Sequence, residues 1–330
     1  MSDRHSHNCS HTHGVFLPNL INKTMSRSAF KSVVLLFVLV VCSVGGLLTR
    51  AHAGLTLYGS AFSSDFFDPN QNFSKLYDIN PLNGAATLIG NIGYRLVGGM
   101  AFDESGTLYG VGETLTNPGD PPPPTGNLVL ITINRTTGMG TTVGALGVSK
   151  NFQDISFRHS DGQLYAYASG ELYTVNKGTG AASIVGATGE AEIGGGIAFS
   201  SGDTLLKAGY DHLFTLDQST GSGSPNTFSG GGTQLSYPTG GTPNATGMDF
   251  DSATGVLWAA VHADATSNSP AYLATIDTVT GLVTKIGDSV VGLTALAAIP
   301  EPSTYGVLAG LGLVGIGMAS SARRRKAPVA

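Results

Sequence analysis

The chain has 330 residues, 17 of them Lys or Arg and 22 Asp or Glu, so charged residues make up only 12%, about half the usual share of a soluble domain. At 41% apolar it can bury a core, which excludes disorder throughout. Its 47 glycines follow no period of three, which excludes collagen and points to many tight turns.

At the N-terminus, His5, His7, Cys9, His11 and His13 form a set able to hold a borderline transition metal if the segment is retained. An apolar run follows at 33–48, VVLLFVLVVCSVGGLL, with Arg27 and Lys31 before it and the small residues Ala51 and Ala53 after it. These are the basic, apolar and cleavage regions of a secretory signal peptide, so residues 1–53 are expected to be removed, histidines included. Translation starts at Met1 or at Met25, the latter giving a signal peptide of ordinary length. A retained transmembrane helix is the alternative, but the run is interrupted by Gly45 and Gly46 and falls short of the ~20 residues a span needs. Val41 ahead of Cys42 does not suit a lipidation site.

Between residues 54 and 299 one phrase recurs. It begins with an alternating strand: LYDIN at 76–80, LITIN at 130–134, LYTVN at 172–176, LFTLD at 213–217 and LATID at 273–277. Each leads to a turn glycine, Gly84, Gly138, Gly180, Gly221 and Gly281, and then to another short strand such as ATLIG at 86–90. The turns lie 54, 42, 41 and 60 residues apart, the spacing of β-propeller blades rather than of helical repeats. The second half of the phrase is a Gly- and Ala-rich strand ending in a polar turn, as in GGMAFD at 98–103, FQDISF at 152–157, GGIAF at 195–199 and TGMDFD at 246–251. A further strand follows each, for example TLYGV at 107–111. Strands converging on a narrow axis tolerate only small side chains, so the Gly-rich strand is assigned as the innermost of four.

Four units are complete. The remaining pieces are VGLTALA at 291–297, of the innermost type, and LTLYG at 55–59, of the type that follows it. Joined, they make a fifth blade and leave no open seam. The predicted fold is therefore all-β, a five-bladed β-propeller of four-stranded antiparallel blades over 54–299, with a β-sandwich as the alternative reading of the same turns. The phrase resembles extracellular propeller repeats of the NHL and YVTN-like kind, a scaffold that serves binding and catalysis alike. Two insertions break the period: a Pro-rich loop at 114–126 and a Gly/Ser/Thr-rich stretch at 221–244, expected to be a floppy excursion.

The body has no cysteine, no Gly-x-Ser-x-Gly and no His-Glu-x-x-His. His159, His212 and His262 fall beside turns or at strand ends, without ligand spacing, and are expected at the rim. Asp154 and Asp249 lie on innermost strands and point to the one catalytic alternative, a polysaccharide-active glycosidase with channel carboxylates. Capping of the inner turns is the structural reading of the same two acids. Asp68, Asn70 and Asn72 begin an EF-hand-like calcium loop, but Phe73 and Ile79 occupy the positions that need Gly and Glu. Calcium is thus the only cofactor candidate, and a calcium-dependent binding module the remaining alternative. Trp258, Tyr77, Tyr109, Tyr165 and Tyr173 recur at equivalent positions and are expected to pack between blades rather than to bind sugar.

The C-terminus reads Pro300, Glu301, Pro302, then an apolar stretch at 305–319, then Arg323, Arg324, Arg325 and Lys326. An apolar segment stopping at a basic cluster is a stop-transfer arrangement. The order of the three parts over 300–330 resembles the PEP-CTERM sorting signal, and a plain C-terminal anchor is the alternative. The resemblance implies a Gram-negative, exopolysaccharide-producing source, processing by an exosortase-type membrane enzyme and transient or permanent anchoring by a short C-terminal helix. Residues 1–53 hold five Lys or Arg and one acid, and 300–330 hold four and one, so the body keeps 8 basic and 20 acidic residues, a net charge of −12. Such a body repels phosphate backbones, so neither nucleic acid nor an anionic membrane surface is an expected partner. The expectation is a non-catalytic cell-surface or matrix protein, associated with extracellular polysaccharide.

Overall fold

The computed structural model describes residues 54–62, 73–114, 128–189, 195–224, 232–238, 243–264 and 270–299. They form 21 strands and no helix. In chain order these are β1 (Thr56–Ala61), β2 (Lys75–Ile79), β3 (Ala86–Asn91), β4 (Arg95–Phe102), β5 (Leu108–Glu113), β6 (Leu128–Ile133) and β7 (Gly140–Ala145). Next come β8 (Phe152–Phe157), β9 (Leu164–Ala168), β10 (Glu171–Val175), β11 (Ala182–Ala187), β12 (Ile197–Phe199), β13 (Leu205–Ala208), β14 (His212–Leu216), β15 (Gly223–Ser224) and β16 (Thr233–Gln234). The last five are β17 (Asn244–Phe250), β18 (Leu257–His262), β19 (Ala271–Ile276), β20 (Val283–Asp288) and β21 (Leu293–Ile299).

Five antiparallel sheets result. Blade 1 has the order β21-β1-β2-β3, blade 2 β4 to β7, blade 3 β8 to β11, blade 4 β12 to β15 with β16 also on β14, and blade 5 β17 to β20. The innermost strands β21, β4, β8, β12 and β17 touch one another around the axis. The fold is a five-bladed propeller. Its first blade is closed by the last strand, with Thr56 opposite Ile299 and Tyr58 opposite Ala297.

Crowding at the axis explains the Gly-rich strands. Three residues before Phe102, Phe157, Phe199, Phe250 and Ala298 stand Gly99, Asp154, Gly196, Gly247 and Ala295. A Cβ on Gly99 would lie 2.6 Å from the Asp154 Cα, and one on Gly247 would lie 2.5 Å from the Thr294 carbonyl oxygen. Between blades the core is apolar, and aromatic residues meet across three of the five junctions. Tyr58 packs edge-on against Phe102 at 5.7 Å, Tyr109 against Phe157 at 5.4 Å and Tyr165 against Phe199 at 5.3 Å. Each is an offset, roughly perpendicular ring pair of the favourable kind. Trp258 is buried at the junction of blades 5 and 1, beside Leu57 and Ala298.

The rim repeats a second contact. A Cβ on the outer-strand residues Gly90, Gly144, Gly186 or Gly287 would come within 2.1, 2.0, 2.0 or 1.9 Å of the carbonyl of Thr137, Thr179, Thr220 or Asn83, each in the turn of the next blade. Blade 4 has no such glycine. There Gln234 of β16 approaches Gly281, Ser236 N–H donates to the Gly281 carbonyl at 2.9 Å, and Val283 N–H donates to that of Ser236 at 3.0 Å. The described part of the 221–244 insertion is therefore not the loose excursion expected: β15 is too short to complete the outer strand, and β16 supplies the seam to blade 5.

If β21 closes the ring, a chain ending at Ile299 will melt cooperatively, whereas one ending at Ser289 leaves the β1 edge unpaired and will aggregate or be proteolysed. Thermal melts by circular dichroism compare the two, and equal stability would contradict closure by this strand.

Candidate functional site

An innermost strand pairs on one side only, so its other edge presents N–H and C=O groups to the axis. Side chains from the same strands supply the missing partners. Asp154, fully buried, accepts from Ile155 N–H at 2.9 Å, and its other oxygen accepts from Ile197 N–H of blade 4 at 2.9 Å and Met248 N–H of blade 5 at 3.1 Å. One carboxyl thus ties three blades. Burial, reinforced by the charge of Asp249, pushes its pKa well above the usual carboxylate range against the pull of the three N–H donors. Ser156 accepts from Phe199 N–H at 3.0 Å. Asp249 accepts from Phe250 N–H and, across the closing junction, from Ala298 N–H, each at 2.9 Å, and burial pushes its pKa up to about 7.

The other end of the axis is arranged by hydroxyls and a histidine. Ser60 donates to the Val97 carbonyl at 2.5 Å, Val97 N–H donates to Ser74 Oγ at 2.9 Å, and Thr294 donates to the carbonyls of Ser60 and Val97 at 3.4 Å. His262 Nε2 donates to the Leu293 carbonyl at 2.6 Å. This corrects the expectation of three rim histidines: His262 is buried, because its ring serves the bulged start of the closing strand, while His159 is exposed and His212 pairs with Asp211 at 2.7 Å.

Where the inner strands end, a cavity of about 250 Å³ opens. Phe102, Phe157 and Phe250 wall it, Asp249 and Ser156 face it, and Glu104, His159 and Ser252 edge it. Its other charged residues are held by the protein. Burial pushes the Asp103 carboxyl upward, but Ser105, Thr107 N–H and Lys177 outweigh it and hold the group below its usual range. Arg158 binds Asp161 at 2.9 and 2.5 Å, Tyr165 at 3.0 Å and Gln218 at 2.8 Å. Of the two acids that suggested a glycosidase, Asp249 lines the cavity and Asp154 does not, so the cavity does not bring the pair together. The turns are capped by other acids, Asp103 and Asp251. The cavity can hold a small polar molecule against three rings and one acid that changes charge near neutrality.

The aromatic set falls between blades as expected, except that Tyr77 is only half-buried. Asp68, Asn70, Asn72, Ala51, Ala53, Pro300, Glu301, Pro302, Arg323, Arg324, Arg325 and Lys326 lie outside the described residues, as do His5, His7, Cys9, His11 and His13. Among the described residues no three His, Cys, Asp or Glu side chains cluster to hold a metal. The serine and threonine bridges of the axis had one faint sequence signal. Ser156 stands where the other inner strands carry Ala101, Ala198, Asp249 and Ala297.

The geometry thus defines a five-bladed propeller protein. Residues 298–326 match the PEP-CTERM protein-sorting motif, which implies export, exosortase processing and membrane anchoring at that end. Comparison with curated protein sequences gives no match. Among solved structures, one similar chain is the symmetrical protein whose de novo evolutionary emergence is shaped by folding constraints, at 15% identity, 75% of this chain, 100% of that one and a TM-score of 0.44. The nidogen/laminin complex contributes another, at 11% identity, 74% and 98% coverage and a TM-score of 0.44. The PQQ-bound aldose sugar dehydrogenase of Streptomyces coelicolor is similar at 14% identity, 64% and 74% coverage and a TM-score of 0.37. None of these likenesses carries an inference about what this chain binds.

Two outcomes follow from the axial network. Asp154→Ala leaves three buried N–H groups without an acceptor and is expected to cost about 3–5 kcal/mol in a denaturant titration. Asp154→Asn, which retains one acceptor oxygen but sets its amide against an N–H, should fall between it and wild type. Asp249 favours the folded state fully below its ordinary value of 3.8, and that contribution is lost as pH rises through about 7. Melts from about pH 4 to about pH 8 should therefore show a steeper decline for wild type than for Asp249→Asn. Parallel curves would place the Asp249 pKa elsewhere.

Proposed function

We propose that this protein is a non-catalytic component of the cell surface or extracellular matrix, delivered by its sorting motif and binding extracellular polysaccharide through the propeller. The observation that carries this reading is the start of the matched motif at Ala298, inside the strand that closes the ring. Folded body and address are contiguous, as in a protein whose task is to be displayed. The axial acids support a scaffold role rather than catalysis, since Asp154 is sealed by three backbone donors and both oxygens of Asp249 already accept. The Phe-walled cavity suits a single sugar residue better than a polymer threaded along the axis.

Pro300, Glu301 and Pro302 are the proposed recognition motif, the four basic residues at 323–326 the membrane stop, and Ala51 and Ala53 the signal cleavage site. Replacing Pro300, Glu301 and Pro302 by alanine should trap the chain in the membrane fraction, where wild type passes through it to the surface or medium. Identical fractionation would remove the sorting role. A glycan array probed with the secreted protein tests the partner: binding weakened at least tenfold by Phe157→Ala supports the cavity, and turnover of any glycan would establish the glycosidase instead.

A further inference from the structure

The five outer turns lie at one end of the propeller, together with the turns that follow the innermost strands. At their third and sixth positions blade 5 carries Val279 and Leu282, blade 1 Leu82 and Ala85, and blade 2 Thr136 and Met139. Blades 3 and 4 carry Gly178, Ala181, Ser219 and Ser222 instead. Val279 is 85% exposed, Leu82 and Met139 65% and Leu282 53%, so four of the seven large apolar side chains exposed among the described residues sit on three adjacent blades at one end. Charge is also different here. The three turns, 80–85, 134–139 and 277–282, contain one Arg and one Asp, within a body of net charge −12. Asp277 is committed to the N–H groups of Val279 and Thr280, and Arg135 lies over the Phe102 ring at 5.7 Å. The three turns form an arc, apolar at their tips and neutral together, with Asp78 exposed in the hollow beside Leu82 and Glu104 exposed in the inner turn of blade 2.

Both ends of the body leave from the middle of that arc. Thr56 is paired with Ile299, and Leu55 and Thr56 line the same hollow as Pro81 and Leu82. Five residues separate Ile299 from the apolar stretch that begins at Tyr305, and even fully extended they span less than about 20 Å. A bilayer entered by that stretch therefore lies within reach of the arc, and the tether replaces the affinity that four aliphatic side chains lack alone.

We propose that, while the tail is anchored, the outer turns of blades 5, 1 and 2 rest on the bilayer, with Leu82, Met139, Val279 and Leu282 in the headgroup region; the Phe-walled cavity opens at the same end and takes a sugar only after the tail is released. The inference rests on membrane anchoring by the C-terminal segment. The second strands β1, β5 and β18 end, and the third strands β2, β6 and β19 begin, at the opposite end of these blades.

The test uses the full chain, with Cys9→Ser and Cys42→Ser, in phosphatidylcholine vesicles containing brominated lipid. An environment-sensitive fluorophore is attached through Val279→Cys, Met139→Cys, Ser149→Cys at the opposite end, or Val314→Cys in the tail. Docking predicts blue-shifted, bromine-quenched emission at 279, 139 and 314 and neither effect at 149. The double variant Val279→Asp, Leu282→Asp should abolish the shift at 139 and leave that at 314. Quenching at 314 alone overturns docking and leaves anchoring intact, whereas no quenching at 314 overturns both. A blue shift at 279 without vesicles, rising with protein concentration, would mean that a second copy covers the arc.

Discussion

Everything in this ring depends on what happens at its axis, where five strands each offer an unpaired edge in a space too narrow for five side chains. The chain resolves this by asymmetry. At one level four inner strands carry Gly or Ala, and Asp154 alone reaches across to bond blades 4 and 5. Two residues further along, Ser156 and Asp249 bridge to the next blade from blades 3 and 5, and the remaining positions are alanine. A symmetric set of acids would place several charges within a few ångströms in a dry interior, at a cost far above that of a single protonatable group. The rule is therefore one acid per crowded level, with most of its neighbours reduced to Gly or Ala to make room for it.

The rim follows the opposite logic. There the blades meet through a repeated approach of a glycine Cα to a turn carbonyl, identical in kind at four junctions, and variation is confined to blade 4, where a second short strand takes over. Because the backbone itself makes the contact, the exposed turn positions are released from packing duty and vary from Val279 to Gly178 without disturbing the ring. Surface character thus changes around the circumference while the scaffold stays constant.

This division decides what was legible from sequence. The outer phrase could be read because each glycine and alternating strand does the same job in every blade, so five copies reinforce one another. Closure by residues 291–297 was legible for the same reason, since a leftover inner strand and a leftover second strand have only each other to pair with. The axial bonds were not, because they are made once each. Nothing local distinguishes Asp154, which holds three blades together, from Asp249, which opens onto a cavity. His262 looked like a rim residue until the bulge at Ala61 showed which carbonyl it serves. Strand β16 was hidden in low-complexity sequence, recognisable only by the failure of β15 to reach full length.

The position of β21 also fixes an order of events. In a chain exported from its N-terminus, 293–299 is the last part of the fold to emerge, and the residues that follow it are those of the sorting motif. Blades 2 to 5 can assemble beforehand, but Leu57 and Trp258 stay uncovered until the closing strand arrives. Completion of the ring consequently waits on the strand that runs directly into the matched sorting motif, so a closed propeller is one in which the chain has been made through to that motif.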